Sequence, residues 1–388
     1  MNTTSPSPLR FAFAGMIAMA VAMGIGRFVY TPILPGMMEA LHLSPGDAGL
    51  IASANYLGYL FGAFAAAGGW AHGRERALML GALGASAVLA GLMGLTDAIW
   101  VFLVVRFLAG VASAFVIVFL ASIVFSHLAV TGRNGLQALH FGGVGLGIAA
   151  SSLMMAILVS AHAGWQAGWL WSAALSAAGF AVVALMIDRG PAASVSSARE
   201  PALPWNAPLI KVIVGYGLFG FGYIITATFL VAIVRQGGGS RLFEAMVWMV
   251  TGIAGVPSVW LWQKVAQRSG LYVAYAVACL VEAAGVTASV AMSAPLGPLL
   301  GGFFLGFTFI AITALGLQAG RVLAPQAPRR AFALMTTAFG LGQLIGPLVA
   351  GALAERAGGS FFVPSIAAAV VLVVSSAIVW SAGRHARR

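Results

Sequence analysis

Of 388 residues, 61% are apolar and only 7% carry charge, against roughly 25% charged in an ordinary soluble domain. So few ionic groups cannot solvate a globular surface, and the mean hydropathy of +0.99 agrees. A soluble enzyme, a nucleic-acid-binding protein and a disordered chain are thereby excluded, and the net charge of +11 needs another explanation.

A helix that crosses a bilayer needs ~20 apolar residues. The polar tail 1–10 leads into an apolar run at 11–36, too long for a signal-peptide core, hence an uncleaved first span. Runs bounded by charge, Pro or Gly follow at 47–69, 77–96, 98–126, 134–161 and 164–187. Residues 188–207 then collect prolines, serines, acids and arginines and are the one stretch with linker composition. Six more spans follow at 208–235, 242–262, 271–293, 296–320, 331–354 and 359–381. The expected fold is an all-α membrane protein of twelve transmembrane helices in two six-helix bundles, residues 1–187 and 208–388, joined by a cytoplasmic linker at 188–207.

The basic residues set the orientation. With the N-terminus in the cytoplasm, fifteen Lys and Arg fall in inner segments and three, Arg235, Arg241 and Arg356, in outer loops. That bias predicts both termini cytoplasmic and, for a bacterial chain, residence in the inner membrane. It also accounts for the positive charge without a nucleic acid partner. Glu244, close to an outer end, is expected to be hydrated. The single cysteine, Cys279, lies in an apolar run and builds neither a disulfide framework nor a thiolate metal cluster. No catalytic grouping, metal-ligand cluster or phosphate loop occurs, because no strand precedes any of the glycine pairs. No enzyme activity and no cofactor are expected.

The halves resemble each other. Ala138, Leu139, Gly145, Leu146, Gly147 and Leu153 of span 5 correspond to Ala333, Leu334, Gly340, Leu341, Gly342 and Leu348 of span 11, at a constant offset of 195. Phe107 and Gly110 of span 4 correspond to Phe303 and Gly306 at an offset of 196. Tandem halves with a substrate path between them are a transporter architecture.

Twelve spans, a central linker and related halves resemble the major facilitator superfamily. The loop after span 2, Gly68-Gly69-Trp70-Ala71-His72-Gly73-Arg74-Glu75-Arg76, matches a Gly-rich, charged loop of that family, with His72 where an acid is usual. By this resemblance His72, Arg74 and Arg76 form a cytoplasmic gate loop. Arg106 and Gly110 match the span-4 motif, and Gly342-Gln343-Leu344-Ile345-Gly346-Pro347 is a family pattern for span 11. The Gly-Pro motif of antiporters is missing from span 5. The first span, Gly24-Ile25-Gly26-Arg27-Phe28-Val29-Tyr30-Thr31-Pro32-Ile33-Leu34-Pro35, is similar to the opening of YbfB/YjiJ-like bacterial permeases. The resemblance implies a secondary transporter that works by alternating access as a monomer.

Four ionisable residues lie well inside spans: Arg27, Arg106, His140 and Glu282. A charge at mid-bilayer costs about 2.5–3.5 kcal/mol on insertion scales, so such residues mark function by default. At 1.5 Å per residue Arg27 and Arg106 both sit about 12–14 Å below the outer surface. In the superfamily architecture their spans line the central cavity, and two cations at one depth suggest an anion site. Arg106 has a second reading, tying helices together through backbone carbonyls. Tyr30 and Thr31 share a face with Arg27 at i+3 and i+4. Asn55 and Tyr59 add polar groups at that depth, and Tyr216, Tyr223 and Gln343 are candidates from the second half. His140 and Glu282 are the groups through which protons would couple, or else structural. Pro347 removes a backbone bond and is a hinge candidate. The expected substrate is a small organic anion or carboxyl-bearing metabolite, with efflux of amphipathic compounds by proton antiport and a non-transporting sensor or assembly module as alternatives.

Overall fold

The computed structural model describes residues 7–67, 70–188 and 201–385, and these contain twelve helices long and apolar enough to span a membrane. They are α1 Pro8–Leu41, α2 Pro45–Ala66, α3 Glu75–Met93, α4 Ile99–Val130, α5 Gln137–Ser160, α6 Trp165–Met186, α7 Ala207–Gln236, α8 Arg241–Ser269, α9 Leu271–Ala291, α10 Leu296–Leu323, α11 Pro328–Arg356 and α12 Phe362–His385. Residues 189–200 of the expected linker and Gly68–Gly69 of the expected gate loop lie outside the described residues. Local chemistry sets several starts. Ser44 and Asp47 close a capping box on α2, and Asn206 and Ser240 accept from the third backbone N–H of α7 and α8. α8 runs seven residues past its apolar stretch, to Ser269, because Gln263, Lys264, Gln267 and Arg268 extend it beyond the hydrocarbon.

The hydropathy pattern does not reveal that α1 is broken. Its first part ends at Met19, a π-helical segment covers Ala20–Ile25, and regular helix resumes only at Tyr30. Close packing against α5 accompanies the break: a Cβ on Gly24 would strike the backbone of Gly147, and one on Gly147 would strike the carbonyl of Ala20. Small residues that let helix backbones touch are the main packing device in a bilayer.

The same contacts recur in the second bundle. Gly110 of α4 seats on the Asn55 carbonyl of α2, and Gly306 of α10 seats on the Thr251 carbonyl of α8. Both members are displaced by 196 residues. Gly147 on Ala20 is likewise matched by Gly342 on Gly217. The two bundles are therefore pseudo-symmetric at the level of their closest contacts.

Between bundles, α5 meets α8 along Gly142, Gly145, Gly252 and Val256, while α2 meets α11 at Gly49 with Pro347 and at Pro45 with Gly351. The second part of α1 packs on α7. The loops at 42–44, 237–240 and 357–361 share one face, here the distal face. The described ends of the chain share the other, the terminal face.

Candidate functional site

Arg27 lies in the break of α1, where its N–H bonds the Met23 carbonyl at 3.3 Å, and its side chain points to the junction between the bundles. The guanidinium stands 4.6 Å from the ring centroid of Tyr56 and 4.5 Å from that of Tyr59, both on α2. Its Nη2 donates to Gln343 Oε1 of α11 at 2.7 Å, and the Gln343 amide donates in turn to the Tyr223 hydroxyl of α7. Arg27 is buried, its Nε has no protein acceptor, and no carboxylate among the described residues pairs with it. Cation–π contacts reach about 2 kcal/mol or more when desolvated, so the two tyrosines hold the charge in place without neutralising it.

Arg106 comes to the same level and does something different. Its Nη1 and Nη2 donate to the carbonyls of Gly26 and Arg27, each at 3.1 Å. Its guanidinium lies against the rings of Tyr30 and Trp169, inside the first bundle. The break in α1 frees those carbonyls, and Arg106 satisfies them where water cannot. The expected pair of cations in one pocket is not formed, because the two guanidinium groups turn to different partners. Arg106→Met should leave two carbonyls bare at about 1–3 kcal/mol each. A clearly lower Tm of the purified protein is expected, with partial recovery in Arg106→Lys; an unchanged Tm in Arg106→Met would refute the tie.

Of the face expected to join Arg27, Tyr30 and Thr31, Arg27 and Thr31 both turn to the second bundle, whereas Tyr30 turns back to α2. Tyr30 donates to the Ala48 carbonyl, and Thr31 reaches across to the Ala227 carbonyl of α7. Asn55 donates to the Arg106 carbonyl at 3.0 Å and ties α2 to α4. Tyr216 bonds the Thr313 carbonyl and stacks on Phe339 at 4.9 Å, in a column that continues through Phe219 and Tyr223. Tyr56 and Phe339 were not singled out in the sequence. For Tyr56 the signal was present, three residues from Tyr59 on the same helix.

His140 packs inside the first bundle against Gly15, Phe125 and Phe141. Glu282 lies between α9 and α10, with one oxygen bonded to Thr308 at 3.1 Å. Of the gate loop, His72 pairs with Glu75 at 3.8 Å, and Arg76 bonds the carbonyls of Ala184 and Ile187 at the end of α6. Arg74 caps the start of α3 through its backbone. Pro347 lies within α11, four residues after Gln343, and has no N–H to give to the Gln343 carbonyl.

A cavity of about 600 Å3 opens between the bundles on the terminal half. Its walls come from α2, α4, α10 and α11, and Tyr59 forms its inner end. On the distal half the bundles are closed. Glu39 of α1 pairs with Arg235 of α7 at 3.0 Å and with Arg241 of α8 at 3.1 Å. Arg235 also forks onto Glu244 at 2.6 and 2.7 Å. Glu244 is buried in that fork, contrary to the hydrated position expected for it, because the α7–α8 turn folds its arginine back over it. Glu355 of α11 accepts from Gly46 N–H at the start of α2.

The family described as "Uncharacterised MFS-type transporter YbfB" matches residues 19–380. No curated protein matches the chain. Among solved structures it is similar to the nucleoside transporter NupG, with 15% identity, a TM-score of 0.69, and 97% of this chain and 99% of that one covered. It is also similar to a bacterial homologue of the human lysosomal transporter Spinster in an inward-facing, occupied conformation. There the identity is 13% and the TM-score 0.73, covering 97% of this chain and 96% of that one. At these identities the likeness concerns the fold.

Proposed function

This chain belongs to the family of YbfB-type MFS transporters, and from that premise we propose that its cargo is a small organic anion. It is a multi-pass secondary transporter, and the observation that supports an anion is Arg27. This buried cation, with no carboxylate partner among the described residues, spans the junction of both bundles through Gln343. A substrate carboxylate would be the missing counter-charge, bound by charge-assisted hydrogen bonds.

The loop charges support an orientation with both termini in the cytoplasm of a bacterial inner membrane. In that orientation the cavity faces inward and the Glu39 network seals the outside. His140 and Glu282 stand away from the cavity walls. Exchange of one anion for another, which needs no titrating group, is therefore favoured over proton coupling. The duplicated bundles, residues 1–187 and 208–388, rock about the bound solute as a monomer.

Flux into proteoliposomes with labelled organic anions, nucleosides and cationic dyes tests the reading. Anion flux that is accelerated by anion on the opposite side is expected. Flux confined to nucleosides or dyes would overturn it.

A further inference from the structure

Gln343 occupies the position in which a ligand oxygen would be bound. Its amide oxygen accepts from Arg27 Nη2, while Nε, on the same edge of the guanidinium, has no protein acceptor. A planar carboxylate accepts two parallel N–H bonds from that edge, which an amide with one oxygen cannot do. The amide that holds Arg27 sits where Pro347 leaves the α11 backbone ladder open, so this part of α11 can shift at small cost.

The cavity beyond Tyr59 describes the rest of the ligand. At about 600 Å3 it falls within the roughly 300–1,000 Å3 of small-molecule sites. Phe64, Ile117 and Phe332 give it apolar walls, Thr336 and Thr337 add hydroxyls, and Arg321 and Arg329 stand among the lining residues. A polyhydroxylated solute would bury more hydroxyls there than the walls can pair, each at a cost. An apolar body packs on Phe64, Ile117 and Phe332 without that cost.

We propose that the site takes a monocarboxylate with an apolar body, bound side-on by Arg27 Nε and Nη2 in exchange for Gln343, with Tyr59 moving aside between cavity and guanidinium. Gln343 is thus a resident competitor and a specificity-determining residue. Releasing it also breaks the one side-chain hydrogen bond from Arg27 to the second bundle among the described residues, so binding and loosening of the bundles are the same event. This inference rests on the anion reading of Arg27 and adds the body and the competitor to it.

The test is ligand-induced change in Tm of the purified full-length protein, with acetate, phenylacetate and octanoate, the neutral phenylacetamide, and the dianion succinate. Affinity is expected to rise from acetate to phenylacetate and octanoate, with no response to phenylacetamide. Gln343→Ala should bind phenylacetate about tenfold more tightly, as expected when one competing hydrogen bond to a charged group is removed. Gln343→Glu should bind none, because its own carboxylate pairs with Arg27. Gln343→Asn, too short to reach, should follow Gln343→Ala and guards against a folding artefact in either. Equal affinity in wild type, Gln343→Ala and Gln343→Asn would overturn the exchange. An Arg27-dependent response to succinate but not to phenylacetate would overturn the apolar body and leave the anion reading standing. No Arg27-dependent response to any of these anions would overturn both.

Discussion

Arg27→Gln should lower transport at least about a hundredfold, since it removes two charge-assisted hydrogen bonds worth about 1.5–3 kcal/mol each. Glutamine ends two bonds short of the guanidinium Nη2, so it gives up the bond to Gln343 together with the charge, and it leaves both tyrosine rings in place. Burial of an unpaired cation is itself costly, so the variant should fold at least as well as wild type. Loss of function with normal expression and an unchanged or raised Tm is the combination that distinguishes a ligand-binding charge from a structural one. Arg27→Lys keeps the charge but loses the planar fork and should fall between the two. Proteoliposome uptake, normalised to reconstituted protein, provides the measurement; full activity in Arg27→Gln would remove the basis of the anion reading.

The second large effect concerns the distal seal. Glu39 is the acid that reaches both Arg235 and Arg241 across the bundles. It is well exposed, so each pair contributes little energy, on the order of 0–1 kcal/mol. The network therefore holds the face shut only lightly, as a gate that opens in every cycle must be held. Neutralising Glu39 should alter rates modestly. Locking it is different. Glu39→Cys with Arg241→Cys, which leaves the Arg235–Glu244 fork intact, in a Cys279→Ser background and bridged by a short reducible bis-thiol reagent, should abolish transport. Reduction should restore it. Bridged protein that transports normally would mean that this face does not open.

How far these features were legible in the sequence depends on how local their causes are. Span positions follow from hydropathy, and the Gly147–Gly342 and Gly110–Gly306 correspondences reappear as matched backbone contacts. Arg27 and Gln343 stood out as polar residues within apolar runs. Their meeting, 316 residues apart in the chain, was not legible. Nor was the direction of Arg27, because the π-helical segment at Ala20–Ile25 breaks the spacing on which face arguments depend. Arg106 had two readings, and only the position of the freed carbonyls separates them. Glu39, Arg235, Arg241 and Glu244 looked like ordinary charges at helix ends. Their coupling depends on how the two halves are placed in space.

The seam between α5 and α8 has one further consequence. There Gly145 and Gly252 bring two backbones into contact, leaving no side chain to slide or compress. Two bundles joined by such a bearing turn about it more readily than they separate along it. In any such turn, displacement grows with distance from the axis. α2 and α11 touch at Gly49 and Gly351 on the distal half and part on the terminal half around the cavity. The aperture there, bounded by Tyr59 and Phe332, is where a few degrees of rotation become ångströms of opening. Cargo bulk is then limited by the throw of α11 rather than by the charge that anchors it.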